Sequence, residues 1–331
     1  MEGELLKYSP ASEHLAFVSG KYDRHVILIA GLTEGMLGLS YSRPLSKALN
    51  NLHWSLVQIQ LSSSYSGYGT SCLDTDALEV HMLMQYLRQH HASKSIVLLG
   101  HSTGCQIVVR YMQKRSTALA DGDACKQALG EEHVFNRMAL RDTPPILGTV
   151  LQAAVSDREY LCWAHRDFME AAQGKAEAMI KAGQGDDICC RFSPMGGAPI
   201  SAFRLLSLYL RFPLGDDDMF SSDLSDEELS TIMSPLSGAG IDDSPAEKHR
   251  TTMTPPNAPG PSPATLILLS GSDEYVPPFV DIPVLADRLA RAVGPSTKHS
   301  VVQGGSHALI GNEKEASDLI AGFVSELSCP T

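Results

Sequence analysis

A serine stands between two glycines in Gly100-His101-Ser102-Thr103-Gly104, at the junction of two apolar runs. A serine hydroxyl is a weak nucleophile near neutral pH. It attacks a carbonyl only with a base beside it, a group that orients the base, and N–H donors for the oxyanion that forms. The chain must therefore bring a histidine and a carboxylate from distant stretches to one tight turn. Of twelve histidines, His307 follows the run Val301-Val302 through Gln303-Gly304-Gly305-Ser306, a lead-in that loosens the backbone into a loop. Asp273 and Glu274 close another run, Leu266-Ile267-Leu268-Leu269-Ser270-Gly271-Ser272.

The spacing around the serine sets what positions it. Ile96, Val97, Leu98 and Leu99 form the short continuous run of a strand buried on both faces, whereas Ile107, Val108, Tyr111 and Met112 recur with helical period. Gly-x-Ser-x-Gly on a strand-to-helix turn is the nucleophile elbow of the α/β-hydrolases. Further buried-strand patterns run from Val26 to Ile29, from Trp54 to about Leu61 and from Ile146 to Ala154. Leu78, Val80, Leu83, Met84 and Leu87 lie at helical spacing, with Asp74 and Asp76 suited to that helix's N-terminal end. Two last strands and a closing helix from about Glu313 to Leu327 complete the alternation. It predicts an α/β-hydrolase fold: a mostly parallel central sheet with helices on both faces.

In that fold the order along the chain is serine, acid, histidine. His307 lies in the loop after the last strand, where the base belongs. His299 falls within the strand, the other distant histidines precede the acid or lie remote from the site, and the ring of His101 is expected to point away from the serine. Asp273 fits G-x-D-x-x-V-P in Gly271 to Pro277, with Glu274 in reserve, and Asp281 reads as a helix-start residue. The backbone N–H of Thr103 and that of Leu32, with Thr33 behind it, are the expected oxyanion donors. Ala30 stands where a histidine often does in lipases. Ser63, Ser64 and Tyr65, beside the Gly67-Tyr68-Gly69 turn, either line the pocket or are solvated turn residues. Asp157 and Arg158 leave a strand's C-terminal end, where ligands collect in parallel sheets, and either face the site or pair with each other.

With 331 residues and a formal charge of −12, the chain suits neither a nucleic-acid nor an anionic-membrane partner. It offers no window of roughly 18 uninterrupted apolar residues and no basic leader, which predicts a cytoplasmic protein. Its seven cysteines have no metal-ligand spacing and read as reduced thiols, and neither a metal nor another cofactor is expected. The interval 157–263 is too long for one strand-to-strand connection and reads as a largely helical cap inserted into a core of 1–156 and 264–331. Helices are expected in the stretch from Arg158 to Gly183 and in Ala198 to Phe212, a Ser-capped short helix within Ser222 to Leu229, and a mobile Pro/Gly/Ser-rich loop at about 235–263.

Taken together, "AGLTEGM", "WSLVQIQLSSSYSGYGTSCLDTD", "GHSTGCQ", "LQAAVSDREY" and "SGSDEYVP" resemble one fungal and plant branch of the α/β-hydrolases, long described only as a domain of unknown function. That branch includes fungal siderophore esterases of the fusarinine type. The resemblance implies hydrolysis, inside the cell, of an ester-linked ferric hydroxamate siderophore, with iron arriving in the substrate. The acidic run Asp216-Asp217-Asp218 could then favour a siderophore with free amines. Competing readings are a general carboxylesterase or thioesterase on small or lipid acyl groups, and a non-catalytic scaffold of the same fold.

Overall fold

The computed structural model describes residues 1–11, 13–120, 142–238 and 262–327. The chain opens with β1 (Glu4–Lys7), β2 (Leu15–Ser19), β3 (Arg24–Ile29), α1 (Ser42–Asn51), β4 (Ser55–Gln60) and α2 (Leu73–His90). It continues with β5 (Ser95–His101), α3 (Thr103–Ala120), β6 (Ile146–Gln152), α4 (Asp157–Ala164), α5 (Arg166–Lys181), β7 (Ile188–Phe192), β8 (Ala198–Ser201) and α6 (Ala202–Tyr209). The last elements are α7 (Asp226–Met233), β9 (Ala264–Ser270), α8 (Ile282–Val293), β10 (Thr297–Val302) and α9 (Glu313–Leu327).

Eight strands form one sheet in the order β1-β2-β4-β3-β5-β6-β9-β10, antiparallel at β1 and β2 and parallel from β4 onward. This is the α/β-hydrolase architecture expected from the alternating pattern. β5 lies inside the sheet with all seven residues buried, as its unbroken apolar run requires. The two sheet faces support separate cores. Ile27, Ile96, Leu98 and Val108 pack with α2, α3 and α8 on one side; Val97, Leu99, Leu45 and Ile320 pack with α1 and α9 on the other.

Several local expectations need correction. The strand read to Ala154 ends at Gln152, because Ala153 turns the chain with φ +54. The stretch from Arg158 to Gly183 is two helices parted at His165, and Ala198 to Phe212 is strand β8 followed by α6. β8 pairs with β7 in a two-stranded ribbon, a hairpin too short and too mixed in pattern to stand out in sequence. Ser225 caps α7 in a full capping box with Glu228, and Asp281 caps α8 by accepting from the Val284 N–H. Most of the loop expected at about 235–263, and residues 121–141 of the polar stretch after α3, lie outside the described residues.

Packing within 157–238 is uneven. Leu161, Met169, Phe192, Ile200 and Leu205 gather over Leu32 and Tyr68, at the C-terminal ends of the strands. Phe220, Leu229, Met233 and Leu236 instead join the core beneath α3 and α8.

Candidate active site

Ser102 joins β5 to α3 with φ +54, a left-handed backbone that a non-glycine residue adopts only where the surroundings force it. Here they do. A Cβ on Gly100 would lie 2.4 Å from the Gly104 carbonyl, and one on Gly104 would lie 2.2 Å from Ile29 O, so neither position admits a side chain. The Ser102 N–H donates to Gln152 O at 3.0 Å, tying the turn to the end of β6. Gly31 packs against it so closely that an added Cβ would sit 2.9 Å from Ser102 Cβ.

Asp273 leaves the end of β9 and His307 the loop after β10, and parallel pairing of these strands brings the two loops together. Both Asp273 oxygens face His307 Nδ1, at 2.9 and 2.8 Å, and both residues are buried. Glu274 serves the same loop differently: its carboxylate accepts the His307 backbone N–H at 2.9 Å. Burial alone would pull the His307 imidazolium down; the hydrogen bond and charge of Asp273, with the charge of Glu274 beyond, outweigh it and hold its pKa above the ordinary 6.5. Ser102 and His307 line one cleft of about 490 Å³, open mouth included. Gly31, Leu32, Thr33, Tyr160, Met195 and Tyr275 also line it. The Tyr275 ring meets His307 edge-on with centroids 4.6 Å apart. No hydrogen bond to Ser102 Oγ is formed among the described residues.

The remaining expected residues divide. Leu32 and Asp157 line this cleft; Thr103, Ser63 and Ser64 line a smaller one of about 330 Å³ behind Leu32, with Asp76 and Arg204. Ser64 is occupied locally, its hydroxyl accepting the Leu61 N–H at 3.1 Å. Tyr65 lines neither cleft and is half exposed against Gly35. Asp157 and Arg158 do not pair with each other. Asp157 accepts Gln106 Nε2 at 3.0 Å, and burial, with the charge of Asp217, pushes its pKa up to about 7. Arg158 turns away to Asp218 at 3.0 Å and to Asp223. The acidic run is no substrate surface either: Asp217 and Asp218 are buried against Arg204 and Arg158, and exposed Asp216 lies 3.2 Å from Arg110.

The His101 ring lines the same cleft, 4.9 Å from the His307 ring by centroids, with its nitrogens facing Gln152 and Glu34. Sequence reading passed over Glu34, Gln152, Tyr160 and Tyr275. Gln152 had a usable signal, a polar residue at the C-terminal end of a buried strand. Glu34 sits one residue beyond the loop chosen for its N–H groups. Among the described residues no group of three or more His, Cys, Asp or Glu is placed to hold a metal ion, and no helix is long and apolar enough to cross a membrane.

This architecture is shared widely. The siderophore hydrolase EstB from Aspergillus fumigatus superposes with a TM-score of 0.75 at 24% identity, over 99% of this chain and 98% of that one. In sequence, the fusarinine C esterase SidJ of Aspergillus fumigatus is 28% identical, covering 91% of this chain and 89% of that protein. A protein named as an esterase in Emericella nidulans is 27% identical, covering 86% of this chain and 80% of its own length. The profile of one family matches residues 2–327, almost the whole chain. The chain therefore belongs to the family described as "Protein of unknown function (DUF1749)".

Proposed function

We propose that the chain is a serine esterase that works through Ser102, His307 and Asp273, and that its substrate is a ferric hydroxamate siderophore of the fusarinine type. The observation that carries the chemistry is one juxtaposition: Ser102 held at φ +54 in the same cleft as a buried histidine whose Nδ1 faces a carboxylate. With Nδ1 donating to Asp273, Nε2 of His307 is bare and takes the Ser102 proton as Oγ attacks the ester carbonyl. The backbone N–H groups of Thr103 and Leu32 receive the oxyanion. Collapse expels the alcohol with the proton from His307, and water, deprotonated by the same imidazole, clears the acyl-enzyme.

The substrate class rests on the relatives: one is named a fusarinine C esterase, and another, similar in fold, a siderophore hydrolase. A cleft of about 490 Å³ takes one ester arm, leaving the iron-bearing bulk at the mouth beside Tyr160 and Met195 of the proposed cap. Iron is cargo of the substrate here. Free thiols at Cys72, Cys105, Cys162, Cys189 and Cys190 suit a reducing compartment, and the reading places the reaction in the cytoplasm. Incubating the protein and its Ser102→Ala variant with ferric siderophores, acetylated and free-amine, and with simple aryl and lipid esters, and following products by mass, tests this. Ser102-dependent cleavage of a siderophore supports it. Turnover of the simple esters alone makes the chain a general carboxylesterase.

A further inference from the structure

The hydrogen bonds around His101 fix its proton. Gln152 Nε2 donates to the His307 carbonyl at 3.1 Å, and since a carbonyl only accepts, that end of the amide must be the NH₂. The other end, Oε1, therefore faces His101 Nδ1, and Tyr41 OH also points to it at 3.4 Å. An amide oxygen cannot donate, so Nδ1 carries the hydrogen. His101 is buried and neutral, its pKa pushed down to about 3 by burial and the nearby His307, which leaves Nε2 with a bare lone pair. That lone pair is 3.4 Å from Glu34 Oε2. The same oxygen accepts the Gly31 N–H at 3.3 Å.

A carboxylate in that place would set lone pair against lone pair and put a negative charge on the loop that must receive an oxyanion. A carboxylic acid removes both conflicts, donating to His101 Nε2 while still accepting from Gly31. Resting on the esterase reading, we propose that Glu34 acts as a protonated positioning residue: through His101 it holds the ring packed on His307, and it keeps the oxyanion loop free of negative charge. Burial moves the Glu34 pKa upward, in the direction this requires. The titratable groups that face Glu34 are His101, His307, Tyr41 and Tyr275; both tyrosine hydroxyls are raised, chiefly by burial, so neither adds charge.

The pH dependence of kcat on a neutral aryl ester separates this from a merely structural role. Glu34→Gln supplies an amide donor to His101 at every pH but its NH₂ cannot accept the Gly31 N–H, so its kcat falls by less than that of Glu34→Ala and the parent's alkaline decline is lost. Glu34→Ala lowers kcat about tenfold with KM unchanged, the loss expected for one hydrogen bond in a low-dielectric network. An alkaline decline retained in Glu34→Gln, or an unchanged kcat in Glu34→Ala, overturns the proposal. So does a rise in KM confined to an amine-bearing ester in Glu34→Gln, which would make Glu34 a carboxylate gripping a cation. If Ser102→Ala retains full turnover, the esterase reading itself fails, whatever the Glu34 variants show.

Discussion

Both oxygens of Asp273 face His307 Nδ1 while its neighbour Glu274 holds the His307 backbone N–H, so two adjacent carboxylates divide the work of placing one imidazole. Asp273→Asn presents an amide that favours the wrong tautomer, and kcat is expected to fall roughly 10⁴-fold. Glu274→Ala loosens the loop and leaves the ring's partner intact; a loss of about tenfold is expected. Steady-state kinetics on one aryl ester ranks the two. A larger loss from Glu274→Ala would exchange their roles.

The same pair sets the acid limb. With His307 as the proposed base, activity needs its neutral form; its pKa is held above 6.5, so kcat/KM is expected to rise with pH through a midpoint above that value. Removing the Glu274 charge with Glu274→Gln keeps an acceptor for the backbone N–H and weakens the pull on the imidazolium. The midpoint is then expected to move down, with the plateau rate unchanged. A pH–rate profile reads both, and an upward shift would contradict the electrostatic account.

Gly31 leaves room for Ser102, the proposed nucleophile. With Ala there, Cβ meets Ser102 Cβ at 2.9 Å, which pushes the oxyanion loop from the elbow. A loss of about 10²-fold in kcat is expected with unfolding behaviour close to the parent's. Circular dichroism and thermal melts beside the kinetics check that the fold survives.

Buried Asp157 makes a stability prediction. Its folded pKa, about 7, lies above the ordinary 3.8, so the folded state keeps a proton that the unfolded chain has released between these values. Stability contributed by this group is full below about pH 4 and is lost progressively up to about pH 7. Asp157→Asn, which still accepts from Gln106, should gain on the parent across that window by a few kcal/mol, on the order of 1.36 kcal/mol per pH unit. Urea unfolding at about pH 4 and pH 7.5 measures it. An equal difference at both values would show that Asp157 ionises freely.

What sequence revealed followed from what each residue depends on. Ser102, Asp273 and His307 were legible because strand period, turn glycines and chain order are properties of short stretches. Glu34, Gln152 and the placing of His101 were not, since their meaning lies in one another across 67 and 51 residues, spacings that mark no local pattern. Asp216 to Asp218 misled for the same reason: a run of like charge looks solvated until Arg204 and Arg158 are seen to bury two of its members. β1 and β2 escaped because they sit at or near the sheet edge, where half-exposed strands lose the continuous apolar signature.

If Ser102 is a nucleophile activated in its own cleft, it reacts covalently with an electrophilic phosphonate. Intact-protein mass spectrometry after brief exposure to a fluorophosphonate tests it most directly. One covalent adduct per chain is expected, mapped to Ser102, absent in Ser102→Ala and slowed severely in His307→Ala. Absence of an adduct on the folded parent, or an equal adduct on Ser102→Ala, would contradict it.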